Sequence, residues 1–103
     1  MPTQTYRTEL EIISEIFEII TNSSMKGEYI TTIVRNANLS HNVALDKITK
    51  LIKAGLIRVS EEERNKTFII TENGIKFYRE LRDFKEMIEE IRARDPKTAH
   101  SNS

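Results

Sequence analysis

The chain has 103 residues, with 16 Lys and Arg against 16 Asp and Glu, and no cysteine. That length holds one domain, or one small domain with an appendage, and excludes a (β/α)₈ barrel, which needs about 250 residues. The missing cysteine excludes a disulfide framework, Cys-ligated zinc, an iron–sulfur cluster and a thiol nucleophile.

Thr5 to Ile20 reads as a helix, because Leu10, Ile13, Phe17 and Ile20 recur at the spacing of one helical face. Ile12, Ile16 and Ile19 widen that face. Thr21-Asn22-Ser23-Ser24 stops it, and Tyr29 to Asn36 is a short second helix with Ile30, Ile33 and Val34 as its apolar positions. Asn38-Leu39-Ser40 is a tight turn in which Ser40 suits an N-cap. A third helix runs from about His41 to Ala54, with Leu45, Ile48, Leu51 and Ile52 as its buried face and Gly55 just past its end. Leu56-Ile57-Arg58-Val59 and Thr67-Phe68-Ile69-Ile70 are two strands, joined by the polar connector 60–66. Thr71 and Glu72 open a last long helix that runs to about Arg94 and stops before Pro96. Residues 96–103 are polar, without an apolar anchor, and read as a disordered tail.

No apolar run nears the ~18 residues of a membrane span, and the start MPTQTYRTELE lacks the basic opening and apolar centre of a signal peptide. The expectation is a cytoplasmic protein without a membrane partner. The balanced charge is unevenly distributed. Residues 1–21 set Arg7 against Glu9, Glu11, Glu15 and Glu18, a net −3. Residues 22–58 set Lys26, Arg35, Lys47, Lys50, Lys53 and Arg58 against Glu28 and Asp46, a net +4. One basic region lies in the middle, and its neighbours cancel it.

Helix, helix, turn, helix, hairpin, helix is the order of a winged helix-turn-helix, an α+β fold that is mostly α. Its third helix offers a polar, basic face to a groove. On a helical wheel Val43, Asp46, Lys47, Lys50 and Lys53 lie opposite Leu45, Ile48 and Ile52, and Asn42 flanks them. Ser40 and His41 stand at the end from which recognition helices often make base contacts, while the three lysines suit phosphates. In the connector, Glu61-Glu62-Glu63 is acidic where many wings are basic; Arg64, Asn65 and Lys66 are the wing's candidate contacts.

The order of elements comes with motifs. Asn38-Leu39-Ser40 followed by Leu51-Ile52-Lys53-Ala54-Gly55-Leu56-Ile57 resembles the "LS…LIxxGLI" run of small archaeal winged-helix proteins, and Ile70-Thr71-Glu72-Asn73-Gly74 is similar to their "LTEKG" motif. Tyr6-Arg7-Thr8-Glu9-Leu10-Glu11-Ile12-Ile13 resembles their opening segment. The resemblance is to the archaeal winged-helix DNA-binding chromatin proteins. It implies a domain over residues 5–74, a dimerisation helix over 75–95 that pairs as an antiparallel coiled coil, and low sequence specificity in a nucleoid-associated homodimer.

The last helix supports a dimer independently of that resemblance. Phe77, Leu81, Phe84, Ile88 and Ile91 follow alternating spacings of four and three, the seam of a heptad repeat. No glycine-rich phosphate loop is present among three glycines, so an enzyme is not expected. His41 and His100 are far apart, and neither a metal, a cofactor nor a small-molecule ligand is expected. The expected partners are double-stranded DNA and a second copy of the chain. The alternatives are a site-specific transcriptional regulator and, in another class, a protein-interaction module that does not touch DNA.

Overall fold

Thr8 and Glu11 close the first turn of the first helix by a reciprocal pair of hydrogen bonds. The Glu11 amide donates to Thr8 Oγ1 at 3.1 Å, and the Thr8 amide donates to Glu11 Oε1 at 2.9 Å. This capping box satisfies two amides that have no partner inside the helix. In the computed structural model, residues 8–23, 26–61 and 65–94 are described. The elements are α1 (Glu9–Thr21), α2 (Ile30–Ala37), α3 (His41–Lys53), β1 (Ile57–Ser60), β2 (Thr67–Ile70) and α4 (Glu72–Arg94). The expected helix start at Thr5 moves to Glu9, because Thr8 is extended and serves as the cap. The opening segment before Thr8 and the tail after Arg94 lie outside the described residues.

The core gathers Ile16, Phe17 and Ile20 of α1, Ile33 of α2, Ile48 and Leu51 of α3, Ile57 of β1 and Phe68 of β2. Leu10, expected on the buried face of α1, is exposed, because the first turn of that helix projects past the core. The second helix ends at Asn38, which takes the left-handed conformation with φ 55°. The Leu39 amide then donates back to Val34 O at 3.0 Å, and the chain turns sharply into α3. Ser40 caps α3 as expected, its Oγ accepting from the Val43 amide at 3.2 Å. Gly55, with φ 79°, closes the other end and lets the Leu56 amide reach Leu51 O at 2.9 Å.

The buried positions of α3 are Ala44, Ile48 and Leu51. Leu45, expected in the core, is 38% exposed. The face is turned by roughly 40° from the wheel drawn through the larger side chains, at about 100° per residue. Ala37 of α2 and Ala44 of α3 are both fully covered, as a close helix crossing over a tight turn demands.

The two strands are antiparallel, with Ile57 opposite Ile70 and Ser60 opposite Thr67. The first strand is one residue later than the sequence suggests, because Leu56 finishes the α3 cap and accepts from the Thr71 amide at 3.1 Å. Glu28, just before α2, bridges Phe68 through two backbone hydrogen bonds of 3.0 and 2.9 Å and so ties the helical layer to the hairpin. The motif that opens α4 has a steric reason. Thr71 Oγ1 donates to Gly55 O at 2.7 Å and accepts from the Gly74 amide at 3.0 Å, while a Cβ on Gly74 would collide with the Leu56 carbonyl.

Further along α4, Phe77 and Tyr78 meet the Phe17 ring with centroids 5.7 and 5.8 Å away. Leu81 is buried, and Lys85 Nζ donates to Ser14 Oγ on α1 at 3.4 Å. Phe77 and Leu81, expected in a seam between two chains, are therefore covered within this one. Phe84 and Ile91 are not, being 52% and 60% exposed, and Ile88 is half-buried.

Candidate nucleic-acid interface

With Ala44, Ile48 and Leu51 facing the core, the opposite face of α3 carries Asn42, Asp46, Thr49 and Lys53, all exposed. Their spacing places them along one line of the helix surface. Leu45 borders this face on one side and Lys50 on the other. His41 is exposed at the helix start. Ser40 is exposed too, but its hydroxyl oxygen already serves the Val43 amide.

Lys47 departs from the expected position. It stands on the flank of α3 that turns toward the start of α1, with its side chain only 17% exposed. Its Nζ lies 3.2 Å from Glu9 Oε2 and 3.6 Å from Asp46 Oδ2. Lys50 Nζ shares the same two carboxylates, at 3.2 and 3.7 Å, with a side chain 57% exposed. The lysine hydrogen bonds, from Lys47 first and Lys50 second, hold the Glu9 carboxyl below its ordinary value, and their charges add to this. The Glu9 hydrogen bond, with the neighbouring Asp46 charge, holds the Lys50 ammonium above its own. Two of the three helix-3 lysines are thus already paired, and Lys53 is left as an exposed cation on the outward face.

In the wing, Asn65 and Lys66 are exposed just before β2, and Arg64 lies outside the described residues together with Glu62 and Glu63. Arg58 is exposed on β1. Tyr29, also exposed, stands at the N-cap of α2. Thr49 and Glu9 join the residues expected from the sequence. Thr49 is legible once Ala44 is taken as the centre of the buried face, since it sits seven residues after Asn42. Glu9 carries no local signal, because its partners are 38 and 41 residues away.

A second feature lies where α1 begins. Leu10, Leu81, Phe84 and Ile88 line a shallow cleft of about 190 Å³ between the start of α1 and the outer half of α4. Among the described residues, no group of three His, Cys, Asp or Glu is placed to hold a metal ion. No helix there is long and apolar enough to cross a membrane.

A three-helix head with a tight turn before its exposed third helix, a two-stranded hairpin and a trailing helix define a winged helix-turn-helix. A family model of that description matches residues 6–89, and the chain belongs to that family. Among solved structures it is similar to Sso10a-2, a DNA-binding protein from Sulfolobus solfataricus, with a TM-score of 0.76 and 22% identity over 91% of this chain and 95% of that one. It is also similar to AF1382 from Archaeoglobus fulgidus, with a TM-score of 0.66 and 22% identity over 84% of this chain and 93% of that one. No curated protein matches.

Proposed function

We propose that the chain is a homodimeric double-stranded DNA-binding protein that organises DNA with low sequence specificity. The observation that carries this reading is the outward face of α3, where Asn42, Asp46, Thr49 and Lys53 stand clear of the head on a helix capped at both ends. A rigid helix with polar side chains along its free face fits the major groove of B-form DNA. Lys53 at the end of that face and Lys50 on its border reach phosphates, His41 stands near the DNA backbone at the helix start, and Asn65 and Lys66 of the wing approach the adjacent groove. The similarity to a solved structure described as a DNA-binding protein supports the same partner.

The second copy enters through α4. Phe84 and Ile91 are left exposed by the head and Ile88 is only half-buried, and burying such a side chain fully is worth about 1.5–3 kcal/mol. An antiparallel partner helix covers them and places two heads at the ends of one rod, spanning residues 75–95 of each chain. Phe77 and Leu81 anchor that rod to its own head.

A site-specific regulator is the second reading, favoured by one feature. Asn42 and Thr49 carry hydrogen-bonding groups suited to reading base edges in the major groove. A gel-shift titration on random and candidate-operator duplexes at two salt concentrations tests both. Two lysines on each of two heads would neutralise about four phosphates, for a log–log salt slope of about −3.6. Equal affinity for unrelated duplexes supports the organiser, strong preference supports the regulator, and no binding leaves the protein-interaction module.

A further inference from the structure

The cluster on the flank of α3 joins two helices that are distant in sequence. Glu9 Oε2 accepts from Lys47 and Lys50, each at 3.2 Å, and Asp46 lies 3.6 and 3.7 Å from the same two ammonium groups. Two carboxylates and two ammoniums make a closed group without net charge. The lysines differ in one respect: Lys47 is largely covered, while most of the Lys50 side chain is open to solvent.

We propose that Glu9 is an internal competitor for the DNA phosphate, and that Lys50 exchanges Glu9 for phosphate when a duplex docks while Lys47 stays behind to neutralise Glu9. This rests on the reading of α3 as the DNA-facing helix. A bare carboxylate beside a phosphate would repel it, so Glu9 must keep one cation. Lys47, held against the head, is the one that stays; Lys50 has the freedom to swing outward. The exchange is possible because exposed ion pairs are weak and screened by salt. Glu9 and Lys47 are then positioning residues that set affinity through Lys50, and the basic character of α3 is held in check by the first turn of α1.

The test is fluorescence anisotropy of the full chain on a random-sequence duplex at low and moderate salt, with Glu9→Gln, Lys47→Ala and the double variant, each checked for unchanged helicity. Gln keeps the size of the side chain and its place in the first turn of α1. Glu9→Gln tightens binding about two- to fivefold at low salt, the range an exposed ion pair commands, and the gain shrinks as salt rises. Lys47→Ala weakens binding in the natural background, because Glu9 then keeps Lys50, and has a smaller effect in the Glu9→Gln background, where Asp46 alone competes for Lys50. Unchanged or weaker binding by Glu9→Gln overturns the proposal. So does a Lys47→Ala loss that is undiminished in the Glu9→Gln background, since Lys47 would then act by a route other than Glu9. A natural chain that fails to bind at either salt overturns the DNA reading and this proposal with it. A natural chain that binds with the expected salt slope but without a Glu9 effect overturns this proposal alone.

Discussion

Phe17 of α1 and Phe77 of α4 meet with ring centroids 5.7 Å apart and planes inclined at 54°. This tilted pair is the hinge pin between head and rod: Phe17 is fully buried among Ile16, Ile20 and Ile48, and Phe77 brings the long helix onto that core. Replacing Phe17 by Ala removes the centre of the core and the support of α4 together. The expected loss is about 3–5 kcal/mol in urea denaturation, the range for buried aromatic truncation. A loss below about 1 kcal/mol would mean that α4 is not seated on this ring.

Gly74 is the point where α4 passes closest to the end of the α3 cap. Gly74→Ala forces a Cβ against the Leu56 carbonyl and the Ile70 side chain, and the Leu56 backbone leaves little room to relax. Although Ala favours a helix over Gly, the clash should dominate and cost about 1–3 kcal/mol. Thermal melting of the variant checks the sign, because a gain in stability would show that the two segments can part freely.

Phe84 and Ile91 leave more than half their surfaces in water when the chain is alone. A combined Phe84→Asp and Ile91→Asp variant should halve the mass seen in sedimentation velocity while the head keeps its melting transition, since neither side chain belongs to the core. A natural chain that already sediments as a monomer, or a variant that remains dimeric, contradicts pairing through this stripe.

The Glu9 pair has a pH signature. Its folded-state pKa lies below the ordinary value of 4.5, so its contribution to stability is present above that value and is lost as pH falls through the lowered one. The difference in melting temperature between the natural chain and Glu9→Gln should be positive near neutral pH and vanish in acid. A difference that stays constant down to strong acid would assign the effect to something other than the ion pair.

On the outward face of α3, Asn42 and Lys53 should fail in different ways. Lys53→Ala is expected to weaken binding to every duplex alike and to make the salt slope shallower by about one for each phosphate left without its lysine. Asn42→Ala should leave the slope unchanged and reduce any preference between duplexes, by about 1–3 kcal/mol where the side chain meets a base edge. Parallel titrations of both variants on two unrelated duplexes separate these outcomes.

Much of the fold is legible without coordinates because its punctuation is local. Ser40 caps α3, Gly55 ends it and Thr71 caps α4 through preferences that act over three or four residues, whereas the need for Gly74 comes from the distant Leu56 carbonyl. Thr67–Ile70 and Glu72–Arg94 stand where their apolar pattern and breakers put them. The candidate interface is only partly legible. Asn42, Asp46 and Lys53 lie on the exposed face that the charge pattern suggests, but Lys47 does not, and Thr49 carries no charge to draw notice.

Local preferences therefore set the succession of elements, their ends and the concentration of positive charge in the middle of the chain. The tertiary structure decided which side of each helix meets another. On a wheel with about 100° per residue, one small side chain such as Ala44 in a close crossing turns the whole buried face, and that carries Lys47 to the flank of α1. The same holds for the apolar stripe of α4, a single pattern in sequence that packing divides: Phe77 and Leu81 are spent on the chain's own core, and Phe84 and Ile91 are left exposed. Charge behaves likewise. The net +4 of residues 22–58 is a linear sum, whereas the pairing of Lys47 and Lys50 with Glu9 depends on side chains meeting across 38 and 41 residues, which local preferences do not encode.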